Sequence, residues 1–201
     1  MKGRRLLLGA LVAVSAWVIG NTRTTFDTSP ETGVTIPGNV TGAEIWLHER
    51  LMRVVSRYPD GPNAFTTDGC SGGMTEAWKS MSAIAPGFVE SYGDRPPWED
   101  CCIAHDHAYH AAGGATDALR STSARLVADE ALRACVLDVG KAEQQNWPEN
   151  AIVPLEQADL AYAALSDAMF HAVRLGGFPC SGLPWRWGYG FPNCDGVTTA
   201  P

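Results

Sequence analysis

Basic residues are scarce: Lys and Arg number 15 against 22 Asp and Glu, a formal charge of −7 at pH 7. Three of those bases, Lys2, Arg4 and Arg5, stand at the extreme amino terminus, so the remainder is more acidic still. A chain of that balance is poorly suited to holding phosphate backbones by counterion release, which argues against nucleic acid as a partner. Sustained period-two alternation is almost absent, which excludes a sheet-dominated fold. No Cys-x-x-Cys pair occurs, which weakens a zinc-ribbon reading. There is no internal repeat, and no apolar run reaches the roughly 20 residues that a spanning helix needs.

What is present is a globular composition, with 45% apolar and 18% charged residues in 201. That length suits one domain with a real core. The chain opens on a basic stretch, Met1 to Arg5, then an apolar run from Leu6 to Gly20, then polar Asn21, Thr22 and Arg23. This order reads as a signal peptide over residues 1–20, with Val18 and Gly20, or Val14 and Ala16, before the cleavage point. The alternative is an uncleaved amino-terminal anchor. Both export the rest, so the expected location is secreted or periplasmic. Residues 21–40 read as a Thr- and Pro-rich linker, and residues 41–201 as the folded domain.

Export changes how the six cysteines are read. In an oxidising compartment Cys70, Cys101, Cys102, Cys135, Cys180 and Cys194 point to three disulfides rather than a metal cage. Fifteen pairings are possible, and spacing alone does not choose among them.

Four helices are legible. Thr41 and Glu44 open the first as a capping box, Ile45, Leu51, Met52, Val55 and Tyr58 follow at helical spacing, and Pro59 to Pro62 ends it. The second runs from Trp98 or Glu99 to Ala112, before Gly113 and Gly114. The third runs from near Asp117 to Val139 and stops at Gly140. The fourth opens at Pro154, carries Leu155, Ala158, Tyr162, Leu165, Met169 and Val173 on one face, and ends at Gly176 and Gly177. The expected architecture is mainly α, one disulfide-stapled domain.

The chemistry concentrates between Trp98 and His110. On a helix, Cys101, Cys102, His105, Ala108, Tyr109 and Ala112 share one face, with Asp106 at its border. His105 therefore points inward beside two anchoring cysteines and a carboxylate. On the next helix Asp129 falls within an apolar stripe of Leu126, Leu132 and Val136. A buried acid needs a partner, and the inward-facing His105 is the economical one. Such a carboxylate fixes the imidazole tautomer and frees the other ring nitrogen as a general base. The plain alternative puts Asp129 at the solvent edge. The Gly-rich stretch from Phe65 to Gly73 can turn carbonyls onto a cation, with Asp68 adding a carboxylate, a hard-oxygen set suited to Ca²⁺.

Cys-Cys-x-x-His-Asp-x-x-Tyr, from Cys101 to Tyr109, resembles the active-site helix of secreted phospholipases A2. The Asp-Gly-Cys-Ser loop at Asp68 to Ser71 resembles the calcium loop of their prokaryotic and fungal members. The family also sets an Asp six residues before a helix cysteine, the spacing of Asp129 and Cys135. The resemblance covers about Asp68 to Cys135. It implies a phospholipase A2-like fold with two antiparallel active-site helices, His105 as base, Asp129 orienting it and Tyr109 donating to Asp129. It implies Ca²⁺ held by Asp106, Asp68 and the Gly69 carbonyl, with Ser71 and Gly73 added from the animal pattern and a loop N–H near Ser71 assisting. It also implies the pairings Cys70–Cys102, Cys101–Cys135 and Cys180–Cys194. Ala108 and Ala128 stand where animal members carry a further disulfide, so both partners of that bridge are missing together.

The implied activity is calcium-dependent hydrolysis of the sn-2 ester of glycerophospholipids by a monomer acting peripherally at a phospholipid aggregate or membrane. A catalytically silent phospholipase-like binding or toxin module is the alternative; retention of His105, Asp106 and Asp129 favours the enzyme. A divalent-metal phosphohydrolase explains neither the loop nor the cysteines. His105, His107 and His110 do not share an ion on one helix, because His107 points about 200° from His105. The stretch from Met74 to Pro97 exceeds that of compact family members, and a plain insertion is favoured over a lid or lipid flap. Trp185, Trp187, Tyr189 and Phe191 offer an aromatic edge for a membrane, although packing onto the core is favoured.

Overall fold

A computed structural model describes residues 40–70, 74–84, 87–145, 147 and 154–194. The expected signal segment, the linker up to residue 39, Ser71 and Gly73 lie outside the described residues. The helices are α1 (Gly42–Val55), α2 (Met74–Ile84), α3 (Phe88–Tyr92), α4 (Glu99–His110), α5 (Ala118–Gln144) and α6 (Leu155–Gly176). A single 3-10 turn, Ala112–Gly114, joins α4 to α5, and no strand occurs among the described residues.

Local chemistry accounts for the helix starts. The Thr41 hydroxyl accepts from the Glu44 N–H at 3.2 Å, and the Asp117 carboxylate accepts from the Arg120 N–H at 2.9 Å. Each satisfies a backbone donor that the helix leaves unpaired. Only half of the expected capping box forms, because the Glu44 carboxylate turns into the protein to meet two guanidiniums. The buried face of α1 is accordingly Glu44, His48, Leu51 and Val54. Ile45 is half-buried beside that face, and Tyr58 lies past the helix end and is exposed.

Two other expectations are corrected. Helix α5 does not stop at Gly140 but runs on to Gln144. A Cβ at Gly140 would lie 2.6 Å from the Tyr162 ring, so this glycine serves close approach of α6 to α5, not termination. Leu155 belongs to the apolar pattern of α6, yet it is exposed in the first turn, and burial begins at Ala158.

Helices α4 and α5 run antiparallel, as their cross-links show. Cys101 pairs with Cys135, His105 meets Asp129, and Tyr109 meets Arg125, so one number rises as the other falls. The other disulfides are Cys70–Cys102 and Cys180–Cys194. The implied pairing is the one present. Bridges closing separations of 32 and 34 residues each stabilise the fold by about 3–4 kcal/mol on the chain-entropy account.

The core has two parts. One gathers Leu51, Val54, Tyr109, Ala112, Trp187 and Phe191, with Ala108 and Ala128 packed in it. The other gathers Cys70, Cys101, Cys102, Leu132, Val136 and Met169. Trp187 and Phe191 thus pack inward, while Trp185 and Tyr189 are half-buried, so the segment is core rather than an exposed aromatic edge. The inserted stretch folds as α2 and α3. Its Thr75 hydroxyl accepts from the Cys70 N–H at 3.0 Å and donates to Glu99 at 3.2 Å, which ties the insertion to the start of α4.

Candidate active site

His105 Nε2 lies 2.9 Å from Asp129 Oδ1, and the Tyr109 hydroxyl donates to the same oxygen at 2.7 Å. An ionised carboxylate only accepts, so the imidazole proton sits on Nε2 and Nδ1 keeps a free lone pair. His105 and Tyr109 are one helical turn apart, and their rings pack at 4.1 Å between centroids. Asp129 is wholly buried. Burial drives the Tyr109 phenol pKa far up; the Asp129 charge adds to this and Arg125 opposes it. Tyr109 therefore stays protonated and remains a donor.

Behind this trio lies a layer that periodicity did not reveal. Arg174 Nη1 donates to Asp129 Oδ2 at 3.0 Å, and Arg125 Nε donates to the Tyr109 oxygen at 3.3 Å. Both arginines donate to Glu44 Oε1, each at 2.7 Å. Arg125 also donates to the carbonyls of Val173 at 2.9 Å and Arg174 at 2.8 Å. Two guanidiniums thus face two carboxylates, which balances charges that would be prohibitive if buried singly. Burial works against the charge on Arg174, but Asp129 and Glu44 outweigh it and raise its pKa. Arg125 gives a sequence signal in hindsight, being one turn before Asp129 on the inward face of α5. Glu44 and Arg174 give none.

The Gly-rich loop meets α4 at Asp106. Thr67 donates its hydroxyl proton to Asp106 Oδ2 at 2.6 Å and accepts from the Gly69 N–H at 3.0 Å. Burial raises the Asp106 pKa, the Thr67 hydrogen bond opposes this, and the charge of Asp68 adds to it. Tyr189 closes the group, donating to the Thr66 carbonyl at 2.6 Å, with its phenol pushed up by burial and then by Asp106 and Asp68. Gly69 has φ +79°, a conformation that favours glycine, and a Cβ there would also displace the end of the Glu99 side chain, 2.8 Å away. The Cys70–Cys102 bridge pins this loop to α4.

Asp106 and Asp68, beside a loop that could supply carbonyls, offer the hard oxygen donors that a cation such as Ca²⁺ takes. Among the described residues no three His, Cys, Asp or Glu side chains gather as a metal cluster. A cation here would therefore draw on backbone oxygen such as that of Gly69. His107 is exposed and stacked on Phe65 at 3.6 Å between centroids, while His110 packs edge-on to Phe65 and Tyr189. The three histidines of α4 do not converge.

No protein-family model, curated protein or solved structure matches this chain.

Proposed function

We propose that this chain is an exported phospholipase A2-like enzyme that hydrolyses the sn-2 ester of glycerophospholipids in the presence of Ca²⁺. The observation that carries the reading is the shared Asp129 oxygen, which receives both His105 and Tyr109 and leaves His105 Nδ1 free. Water bound at Nδ1 gives up its proton there as its oxygen attacks the ester carbonyl. The proton then passes from Nδ1 to the departing glycerol oxygen, releasing lysophospholipid and free fatty acid. Asp129 keeps the ring oriented and offsets its transient charge.

Asp106, Asp68 and the Gly69 carbonyl would hold Ca²⁺, with Ser71 and Gly73 as further donors that the family resemblance implies. When bound, the cation supplies positive charge to the developing oxyanion. Three disulfides support an oxidising location, and no helix among the described residues is long and apolar enough to cross a membrane. A monomer binding peripherally to a phospholipid surface follows from this reading. The test is release of labelled fatty acid from phospholipid, with Ca²⁺ and with chelator. Release only with Ca²⁺ supports the proposal; no release in either, or full release in chelator, refutes it.

A further inference from the structure

A cleft of about 620 Å³ opens between the inserted segment, the start of α4, the end of α5 and α6. Trp78, Tyr92, Trp98, Trp147 and Tyr162 line it. None of His105, Asp129, Asp106 or Asp68 does, so the hydrolytic reading leaves this cleft unused. Trp98 stands at right angles to two of the other rings. Trp98 meets Trp78 edge-to-face at 5.5 Å and 83°, and meets Tyr162 at 5.8 Å and 88°. Trp78 is held by its own N–H, which donates to the Gly93 carbonyl at 3.2 Å.

The wall is also negative. Asp94, Asp100 and Glu143 line the cleft against one cation, Arg95, which lies 3.5 Å from Glu99 and 3.7 Å from Asp100. Glu143 and Tyr162 line the same cleft, and the Tyr162 phenol is pushed up to about 12 by burial and then by the Glu143 charge. Ring faces attract cations through their quadrupole, and a weakly hydrated, bulky cation loses least on leaving water. A small, strongly hydrated metal ion would use the carboxylates but gain little from the ring faces, which suit a bulkier cation. A neutral apolar ligand makes no use of the excess acidic charge.

We propose that this cleft binds a quaternary ammonium group, the trimethylammonium of choline, either free or on a phospholipid headgroup. The site stands on its own geometry; its meaning as headgroup recognition rests on the hydrolytic reading. The probes are choline chloride and its neutral isostere 3,3-dimethylbutan-1-ol, followed by saturation-transfer NMR of the methyl signal on the full chain in chelator, where no turnover is expected. Choline should bind at least tenfold tighter than the alcohol. Glu143→Gln should weaken choline several-fold, and Trp78→Ala should weaken it further, both with wild-type helical circular dichroism.

Vesicles of phosphatidylcholine and phosphatidylglycerol separate the sources. Free choline binding supports the site for the small molecule. Preference for phosphatidylcholine vesicles without free choline binding supports the lipid-borne group. Equal binding of choline and the alcohol, an indifferent Glu143→Gln variant, or no preference in either arm overturns the proposal. Choline binding in a protein that releases no fatty acid keeps this site and removes the hydrolytic reading, so the two failures are distinguishable.

Discussion

Arg174 holds Asp129 from the side opposite His105. Its Nη1 donates to Oδ2 at 3.0 Å, while Oδ1 receives His105 at 2.9 Å and Tyr109 at 2.7 Å. The carboxylate is thereby fixed at both oxygens, and its rotation would break three bonds. Glu44 keeps Arg174 in place through a 2.7 Å bond from the other nitrogen. Arg174 touches no reacting atom on the proposed mechanism, so it is a positioning residue. Arg174→Gln should lower kcat about tenfold or more, since a hydrogen bond to a charged group contributes roughly 1.5–3 kcal/mol. KM should stay near wild type, and Arg174→Lys should restore part of the loss. A proportional rise in KM, or no rescue by lysine, counts against orientation as its role.

His105→Gln preserves a donor toward Asp129 and removes the free ring nitrogen. The variant should fold, with unchanged circular dichroism, and lose turnover by about 10²–10⁴-fold. A rate close to wild type ends the assignment of His105 as base.

Asp106→Asn keeps the shape of the side chain and an acceptor for Thr67 while removing the charge. Fatty-acid release should fall to the level seen in chelator, a loss of about 10²-fold or more given the worth of a single oxyanion donor. Excess Ca²⁺ should restore release in chelated wild type but only weakly in the variant. Equal calcium response in both proteins would sink the loop-and-Asp106 cation site.

The α4 residues were readable because they lie within nine positions on one helix, where spacing alone sets the face. Asp129 was readable as an acid amid Leu126, Leu132 and Val136, an inconsistency that only a buried partner resolves. Long-range pairing is a different matter. Glu44 and Arg174 are 130 residues apart, and neither breaks a local rule loudly enough to announce the other. Glu44 even satisfied a competing local pattern, the capping box. Gly140 misled for the same reason: glycine ends helices by conformation, whereas here the close approach of Tyr162 decides its identity. Leu155 fitted the apolar period but is 43% exposed at the first turn of α6.

His48 provides a test of the fold that is independent of turnover. Trp187 donates to Ser121 Oγ at 2.9 Å, which turns the Ser121 proton toward His48 Nδ1 at 2.8 Å. Burial, then the charges of Arg125 and Arg174, lower the His48 pKa from 6.5 to about 3. The folded chain thus keeps this ring neutral where the unfolded chain protonates it. Its contribution to stability is complete above pH 6.5 and is lost as the pH falls toward about 3. Over that window the unfolded state holds one more proton, so stability drops by about 1.4 kcal/mol per pH unit from this group. His48→Asn, whose amide oxygen can still accept from Ser121, removes the titration. Urea unfolding at pH 7.5 and 4.5 should show wild type losing about 2–3 kcal/mol more than the variant between those conditions. Parallel losses in the two proteins would mean that His48 accepts a proton inside the fold, and that the two guanidiniums do not bear on it.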